Sequence, residues 1–513
     1  MSNSNSNRIA KNAVFLYFRS FLVLLISLYT SRVILRVLGV VDYGIYNVVG
    51  GVITMLGFLN QSMQATFQRY YNVEMGKGND EGVREMFRTS LSTQVLLALL
   101  VVVLAETLGL WFVKHKLVIP EERMVAALWI YQVTIVSFII TVFCAPFGAI
   151  ITAYERMGVF AIISVIDAVL KLLIVFLLEF IPYDSLIVYA VLLLLISFLN
   201  ILFYVLYCKR KIPTTDIKLN WDKASLKSMF SFSGWSLLGT LAQTLKTQGI
   251  NIVLNMFFGP VVNAARGIAS QVLHAVNHFI HSFQTSFRPQ LTKSYASGDY
   301  DYMTKLYYSA TKISYYLIFT ISLPIILETP LILHLWLGDN VPEYTVVFTR
   351  LVLLTAFVSA FANPTSCIAY ATGNIKWFSI IVSGLNLMIL PIVYVFLKLG
   401  YGSVSALVVS LVMTILVQLT RIIVTSKITV LDLRDYFKNV VLPTTIYSLL
   451  CPCIPYLVHK MMAPGFLRLI VMCVISVAAS LALAWLVGLN KYEKQLALSK
   501  LKFLNKKRIF RKS

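Results

Sequence analysis

The sequence predicts an all-α polytopic membrane protein with about fourteen transmembrane helices. Of its 513 residues, 58% are hydrophobic and only 13% are charged, whereas soluble domains carry roughly 25% charged residues. The mean hydropathy is +0.79, and apolar stretches long enough to cross a bilayer, about 20 residues each, recur along the chain. A length-based count of soluble domains therefore does not apply.

Pro, Gly and clusters of charge divide the apolar sequence into fourteen candidate spans. The N-terminal segment has basic residues but no small-residue cleavage site, and its apolar run is too long for a signal peptide, so we expect it to be retained. In order, the predicted spans are residues 12–37, 44–67, 89–113, 124–152, 158–181, 186–208, 230–257, 263–288, 312–336, 345–371, 377–398, 403–425, 438–459 and 466–489.

Positive charge is distributed unequally between the two sides of these spans. Lys and Arg number 44 against 22 Asp and Glu, an excess that would suggest nucleic-acid binding in a soluble protein. If the N-terminus is cytoplasmic, the opposite side holds only Lys114, Lys116, Arg123 and Lys460 among the loop Lys and Arg. Cytoplasmic loops collect such residues, so we predict cytoplasmic N- and C-termini, an even number of spans and no nucleic-acid partner.

An internal repeat appears when the chain is shifted by 220 residues. Residues 62–79 then align without a gap on residues 282–299, and Gly39 aligns on Gly259. Both copies occupy the second span of a six-span set and the inner loop after it. The repeat predicts two parallel six-helix lobes around a central cavity, plus two C-terminal helices.

The repeat divides the chain into five predicted parts. They are an N-terminal six-helix lobe (1–208), a basic cytoplasmic linker (209–229), a C-terminal six-helix lobe (230–425), two additional helices (426–489) and a basic cytoplasmic tail (490–513).

Polar residues recur every three or four positions on the second, seventh and eighth spans, which is the period of one helical face. Lipid offers such residues no partners, so these faces must meet protein or water. The positions are Asn47, Thr54, Gln61, Gln64 and Gln68; Thr240, Thr244, Thr247, Asn251 and Asn255; and Ser270, His274, Asn277, His281, Gln284 and Arg288. They predict a hydrated cavity lined by the first, second, seventh and eighth spans. The alternative is that they only join helices by hydrogen bonds.

Several cationic residues lie inside the spans and make this predicted cavity positive. Lys246 lies near the middle of its span and cannot easily reach water, although it has the alternative of pairing with a neighbouring carboxylate. Arg32 lies deeper than Arg36, which has the alternative of reaching the membrane interface. Arg266 lies one turn into the eighth span on the outer side, and Arg288, at the inner end of that span, has the alternative of being a topogenic end charge. A cationic cavity favours an anionic ligand, and guanidinium groups suit phosphate.

Two oppositely charged residues, Asp167 and Lys171, lie one helical turn apart in the fifth span. Their spacing favours a mutual ion pair. The alternative is a role for Asp167 in coupling transport to H⁺ or Na⁺.

Three histidines on the eighth span, His274, His278 and His281, share one region of the helix. A metal site needs convergent ligands, usually with a carboxylate or Cys, and none adjoins them. A polar cavity wall with a titrating His is favoured instead, and we predict no metal site and no cofactor.

Enzyme motifs are missing from the sequence. It contains no Walker A motif, nucleophile elbow or HExxH, and the longest predicted outer loop has only about ten residues. We therefore predict that the protein is not an enzyme, and that transport is driven by a gradient or by the substrate itself.

The first two spans carry a family resemblance. "SRVILRVLGVVDYGIYNVV", running into "GFLNQSMQATFQRYYNVEMGKG", resembles polysaccharide-biosynthesis flippases of the Wzx type, from the multidrug/oligosaccharidyl-lipid/polysaccharide exporter superfamily. The resemblance implies a two-lobed alternating-access transporter in the bacterial inner membrane. It implies a cationic lumen and a substrate of polyprenyl-diphosphate-linked oligosaccharide, moved from the cytoplasmic to the periplasmic leaflet. On this analogy Arg32, Lys246 and Arg266 are the first candidates for substrate contact.

Other functions stay open at this point. A multidrug/cation antiporter of the same superfamily would favour an acidic cavity, and a membrane glycan polymerase or ligase would need a larger outer loop. A non-transporting scaffold is disfavoured by the polar stripes. Expected partners are the lipid-linked oligosaccharide, membrane lipids, H⁺ or Na⁺, and other polysaccharide-assembly proteins.

Overall fold

The structure of the protein is a computed structural model, which describes residues 3–373, 376–490 and 493–494. These residues form helices and no β-strand. The helices of the first half are α1 (Asn3–Thr54), α2 (Gly57–Gly76), α3 (Asp80–Leu104), α4 (Leu110–His115), α5 (Met124–Ala153), α6 (Met157–Leu177), α7 (Ser185–Lys211), α8 (Lys223–Thr244), α9 (Ile250–Phe258) and α10 (Pro260–Ala296).

The second half is also helical where it is described. Its helices are α11 (Tyr300–Leu327), α12 (Thr329–Leu337), α13 (Thr345–Ser359), α14 (Ala362–Ala371), α15 (Lys376–Lys398), α16 (Val404–Ile428), α17 (Leu433–Tyr436), α18 (Leu442–Leu450), α19 (Cys453–Met461) and α20 (Phe466–Leu483). Short π-helical turns lie at Ala105–Gly109, Leu245–Gly249, Phe437–Val441 and Ala484–Gly488.

Eleven helical stretches of the described chain are long and apolar enough to cross a membrane. The chain is thus a multi-pass membrane protein of all-α fold, as predicted. The second, seventh and eighth predicted spans do not appear as separate stretches among the eleven. A stretch is identified by its mean hydropathy, and the polar stripes of these three spans lower that value. The total of fourteen transmembrane helices therefore remains a prediction.

Two glycines break the helices at equivalent places. Gly39 interrupts α1 with φ 76°, and Gly259 separates α9 from α10 with φ 75°. Only glycine adopts this left-handed conformation at little cost. The recurrence of the break after 220 residues is therefore confirmed in the backbone.

The loops after the repeated segments are also equivalent. Gly78 and Gly298 have φ values of 67° and 74°. The next residues, Asn79 and Asp299, cap α3 and α11 by accepting a hydrogen bond from the backbone N–H three residues on, at 2.9 Å and 3.1 Å. Such caps satisfy amides left unpaired at a helix start. The repeat therefore extends from sequence to local structure.

The predicted second span, residues 44–67, is not one continuous helix. Helix α1 ends at Thr54 and α2 begins at Gly57, with a turn between them. Glycine lowers helix stability by about 1 kcal/mol relative to alanine, and this stretch contains Gly50, Gly51 and Gly57. The polar stripe predicted for one face of one helix is consequently divided between two helices.

The helices group into two compact units. Among the described residues, the first contains those up to Gly267 together with Trp336–Tyr344 and Leu390–Ala406, and the second contains those of Ile268–Leu335, of Thr345–Ile389 and from Leu407 onward. In the first unit α5 packs against α7, α2 and α1, and α6 packs against α1. The lobe boundaries drawn from the sequence remain a prediction.

Two buried ion pairs organise the second unit around α11. Lys312 pairs with Glu493 at 2.7 Å, and Glu328, just after α11, pairs with Arg468 at 2.7 Å. His459 Nδ1 lies 2.7 Å from the same Glu328 carboxylate. Removing one partner of a buried pair is strongly destabilising, so these contacts hold α19 and α20 against α11.

An arginine joins three segments of the first unit. Arg123 Nε donates to Asp42 Oδ1 at 2.8 Å, and its Nη1 donates to Asp184 Oδ2 at 2.5 Å. Asp184 also caps α7 by accepting from Leu186 N at 3.0 Å. The hydrogen bond from Arg123 holds the pKa of Asp184 below its usual range. Arg123 thereby fixes the start of α5 to α1 and α7.

The conformation of Gly39 predicts opposite effects for two glycine substitutions. Gly39→Ala should lower the free energy of unfolding by about 1–2 kcal/mol, because an alanine is strained at φ 76°. Gly384→Ala, in α15 with nothing within 4 Å of the added Cβ, should raise it by up to about 1 kcal/mol. The free energy of unfolding in detergent would be measured for both variants. Equal effects would contradict the positive-φ conformation assigned to Gly39.

The Asp184 pair predicts a pH-dependent contribution to stability. Because the folded pKa of Asp184 is lowered, its contribution is complete above the unfolded pKa of about 4 and disappears as pH falls through the folded value. Asp184→Asn, which keeps the α7 cap, should therefore destabilise at pH 7 and have a shrinking effect below about pH 4. The free energy of unfolding, measured as a function of pH, would test this. The destabilisation by Asp184→Asn at pH 7 should largely vanish when Arg123→Met is already present.

Candidate functional site

The first unit contains a polar cavity of about 610 Å³, which we call the N-unit cavity. Small-molecule sites commonly have volumes of about 300–1,000 Å³. Helices α1, α2, α5, α6 and α7 line it. Its polar lining residues are Tyr46, Thr54, Asn60, Gln64, Thr134, Ser137, Thr141, Ser164, Asp167, Lys171, Ser197, Asn200 and Tyr204.

Helical spacing brings these side chains to the N-unit cavity. Asn60 and Gln64 are one turn apart on α2, and Asp167 and Lys171 are one turn apart on α6. Side chains at this spacing share a helix face. On α5, Gly148 leaves room for the Gln64 amide, whose Nε2 lies 3.2 Å from the position of an added Cβ.

Asp167 has a donor on each carboxylate oxygen. Lys171 Nζ donates to Oδ2 at 2.8 Å, and Asn200 Nδ2 donates to Oδ1 at 2.7 Å. The ion pair expected from the sequence is confirmed. A coupling cation would have to displace Lys171 from this carboxylate, and the predicted role of Asp167 in ion coupling remains a prediction.

A chain of buried asparagines lies elsewhere in the first unit. Asn255 Nδ2 donates to Asn263 Oδ1 at 2.8 Å, and Asn263 Nδ2 donates to Asn251 Oδ1 at 2.8 Å. Asn251 Nδ2 donates in turn to the Asn47 carbonyl at 3.3 Å. Buried amides need such partners, so these contacts join α9 and α10 to α1. The substrate-binding role predicted for Asn251 remains a prediction.

The predicted cationic residues have different surroundings. Arg32 and Arg36 are exposed on α1, and Arg36 forms an ion pair with Glu179. Lys246 is half-buried in the π-helical turn Leu245–Gly249, a feature frequent at functional sites. Arg266 is half-buried on α10, and its Nε is fully buried without a hydrogen-bond partner among the described residues.

The other predicted residues lie outside the N-unit cavity. His274, Asn277, His281 and Arg288 are exposed on α10. Gln284 is buried and donates to the Ala360 carbonyl at 3.3 Å. Gln61 is exposed on α2, whereas Gln64 lines the N-unit cavity. A central cavity shared by the first, second, seventh and eighth spans remains a prediction.

Several cavity residues on α2, α5 and α7 were not predicted from the sequence. Asn60 is adjacent to a predicted stripe, Ser137 is a small polar residue in an apolar run, and Asn200 is isolated in "SFLNILFY". A polar residue inside a membrane helix usually faces protein or a cavity, which is the signal that identifies Asn200. Which cavity it faces depends on the packing of α6 and α7.

The fold is shared with known transporters. The lipid II flippase MurJ, in an inward closed conformation, superposes with a TM-score of 0.70 at 14% identity, covering 92% of this chain and 98% of MurJ. A multidrug-resistance MATE family transporter of the MOP superfamily gives 0.63 at 16% identity, covering 78% and 94%. A MOP superfamily transporter from Pyrococcus furiosus gives 0.59 at 15% identity, covering 82% and 94%. The chain therefore has the all-α fold of these transporters.

The family follows from the sequence match. Residues 9–295, more than half of the chain, match the polysaccharide biosynthesis protein family, and the chain belongs to that family. The uncharacterized membrane protein EpsK of Bacillus subtilis (strain 168) is 22% identical over 279 residues, which is 53% of this chain and 54% of EpsK. The match thus spans about half the length of that relative. The resemblance drawn from the first two spans is confirmed for family and fold.

The Asp167–Lys171 contact predicts an energetic coupling inside the N-unit cavity. Asp167→Asn and Lys171→Met should each lower the free energy of unfolding by about 0.5–1 kcal/mol, since both side chains are partly exposed. The double variant should cost less than the sum because it removes both charges. Unfolding in detergent measures the cycle.

The control for this cycle is the ion pair of Arg84 with Glu81, whose carboxylate side chain is 58% exposed against 25% for Asp167. Exposed pairs contribute little, so the two control substitutions should add almost without coupling. Equal coupling energies in the two cycles would contradict a stronger interaction of Asp167 with Lys171 inside the N-unit cavity.

Proposed function

We propose that this protein is a flippase for a polyprenyl-diphosphate-linked oligosaccharide in polysaccharide biosynthesis. It moves the lipid-linked glycan from the cytoplasmic to the periplasmic leaflet of a bacterial inner membrane. The charged head group crosses through a hydrated cavity while the polyprenyl tail stays in the bilayer. The N- and C-termini are cytoplasmic in this proposal, in keeping with the distribution of Lys and Arg.

Family and fold support a transporter of this class. The chain belongs to a polysaccharide biosynthesis family, and its fold matches a lipid II flippase over 92% of its length. MurJ is a lipid II flippase, and extending a lipid-linked substrate to this chain is part of the proposal. In this proposal the protein positions and moves its substrate without catalysing a covalent reaction.

The observation that carries the proposal is the environment of Arg266. Its side chain is half-buried, and its Nε is buried without a hydrogen-bond partner among the described residues. A buried polar group without a partner is costly, and a guanidinium matches phosphate through two parallel hydrogen bonds. Arg266 is therefore proposed to contact the diphosphate, with Arg32 and Lys246 as further candidates.

The alternative is a multidrug/cation antiporter, which the MATE-like fold raises. Such a protein needs an acidic group available to a cation. In the N-unit cavity the carboxylate of Asp167 already accepts from Lys171 and Asn200. This arrangement favours the flippase, and H⁺ or Na⁺ as a coupling ion belongs to the same proposal as a separate test.

The proposal predicts a specific effect of Arg266. Purified protein in vesicles containing a fluorescent polyprenyl-diphosphate sugar should make the lipid accessible from both sides. Arg266→Gln should lower the initial rate about tenfold or more, because hydrogen bonds to charged groups contribute about 1.5–3 kcal/mol. Lys246→Glu should have a comparable or larger effect.

The control is Arg84→Gln. Arg84 is paired with Glu81 at 2.6 Å on an exposed surface, so its loss should leave transport unchanged. If wild-type vesicles show no more exchange than protein-free vesicles, the flippase proposal fails. If Arg266→Gln transports normally, the assignment of the diphosphate contact is wrong.

A further inference from the structure

We propose that the N-unit cavity binds a neutral sugar ring of the transported glycan. This inference deepens the proposed function and rests on it. It separates the substrate into two recognised parts, a diphosphate held by cationic residues elsewhere and an uncharged sugar held in the N-unit cavity.

The net charge of the N-unit cavity is the first argument. Among the described residues, the charged residues that line it are Asp167 and Lys171, which neutralise each other at 2.8 Å. An anionic group would lie beside the Asp167 carboxylate, and a cation would lie beside the Lys171 ammonium. A neutral ligand meets neither repulsion, so the cavity disfavours both the diphosphate and a cationic drug.

Unpaired hydrogen-bonding atoms are the second argument. Ser137 Oγ and Asn200 Oδ1 both belong to lining residues, and both atoms are buried without a hydrogen-bond partner among the described residues. Buried polar atoms are normally paired. Sugar hydroxyls donate and accept at the same atom, so they can satisfy a serine hydroxyl and an amide oxygen in one binding pose.

The aromatic lining is the third argument. Tyr46 and Tyr204 both line the N-unit cavity, and Tyr46 is held by an edge-on contact with Tyr189 at 5.1 Å between ring centroids. Aromatic faces carry partial negative charge, and the C–H faces of a sugar ring carry partial positive charge. A ring placed against a tyrosine therefore buries its apolar face while its hydroxyls reach the amides.

Volume and polarity favour a sugar over simpler occupants. A cavity of about 610 Å³ is larger than a single ion requires, and a lipid chain would leave the polar part of the lining without partners. Sites built to hydrogen-bond hydroxyls reject analogues that lack them. Of the chemical parts of a lipid-linked glycan, a neutral sugar, with one apolar face and several hydroxyls, matches this mixed lining and its balanced charge.

The test uses vesicles with purified full-length protein and fluorescent short-chain prenyl diphosphates. The carriers bear glucose, galactose, N-acetylglucosamine, glucuronic acid or no sugar. Wild-type protein should move at least one neutral-sugar carrier at a lower KM than the glucuronic acid carrier and the bare carrier. Ser137→Ala should raise the KM for the best neutral carrier about fivefold, the size expected for one neutral hydrogen bond, and leave the bare carrier unchanged.

A stability measurement and two further variants serve as controls. Ser137→Ala removes an unsatisfied hydroxyl, so its melting temperature should not fall below that of the wild type. Ser137→Thr keeps a hydroxyl and should restore the KM. Thr107→Val removes a hydroxyl whose bond goes to the Val103 carbonyl of its own helix, outside the N-unit cavity, and should change neither carrier.

The outcomes distinguish the two proposals. If the wild type moves no carrier, the flippase proposal itself fails. If it moves carriers but Ser137→Ala affects the neutral and bare carriers equally, or affects neither, the sugar site is overturned. Preference of the wild type for glucuronic acid over every neutral sugar would overturn the charge argument.

Discussion

Lipid offers no hydrogen-bond partner to a polar side chain, and much of this molecule follows from that constraint. Several charged groups form ion pairs with opposite charges: Asp167 pairs with Lys171 in the first unit, and Glu328 pairs with Arg468 in the second. Polar amides form hydrogen bonds with one another, as in the buried asparagine chain that ends at the Asn47 carbonyl. Groups left without partners, such as Ser137 Oγ and Asn200 Oδ1 among the described residues, are the ones on which the proposed sugar site rests.

The same constraint explains how one unit can hold two kinds of polar site. In the asparagine chain every amide nitrogen has an acceptor, so the network joins helices and offers little to a substrate. In the N-unit cavity the charges cancel while Ser137 and Asn200 keep unpaired oxygen atoms. A satisfied network stabilises packing, whereas the neutral but unsatisfied cavity is the one that we propose to bind a ligand with many hydroxyl groups.

Breaks in the helices are as regular as the polar contacts. Gly39 and Gly259 share one backbone conformation with positive φ, and Gly78 and Gly298 also have positive φ before equivalent helix caps. Because only glycine adopts these angles cheaply, the repeat is visible in the sequence as matched glycines even where few other residues agree. A weak sequence repeat is therefore compatible with a close structural one.

The sequence by itself determined the membrane class, the all-α fold, the family resemblance and the recurring break at Gly39 and Gly259, because hydropathy and glycine conformation are local properties. It also identified Asp167 with Lys171, since residues four apart share a helix face. The tertiary structure alone decided that Asn200 completes this pair, that Ser137 and Gln64 join it in one cavity, and that Asn251 belongs to a buried amide chain. Those contacts depend on how helices distant in sequence pack together, which the periodicity of a single helix does not specify.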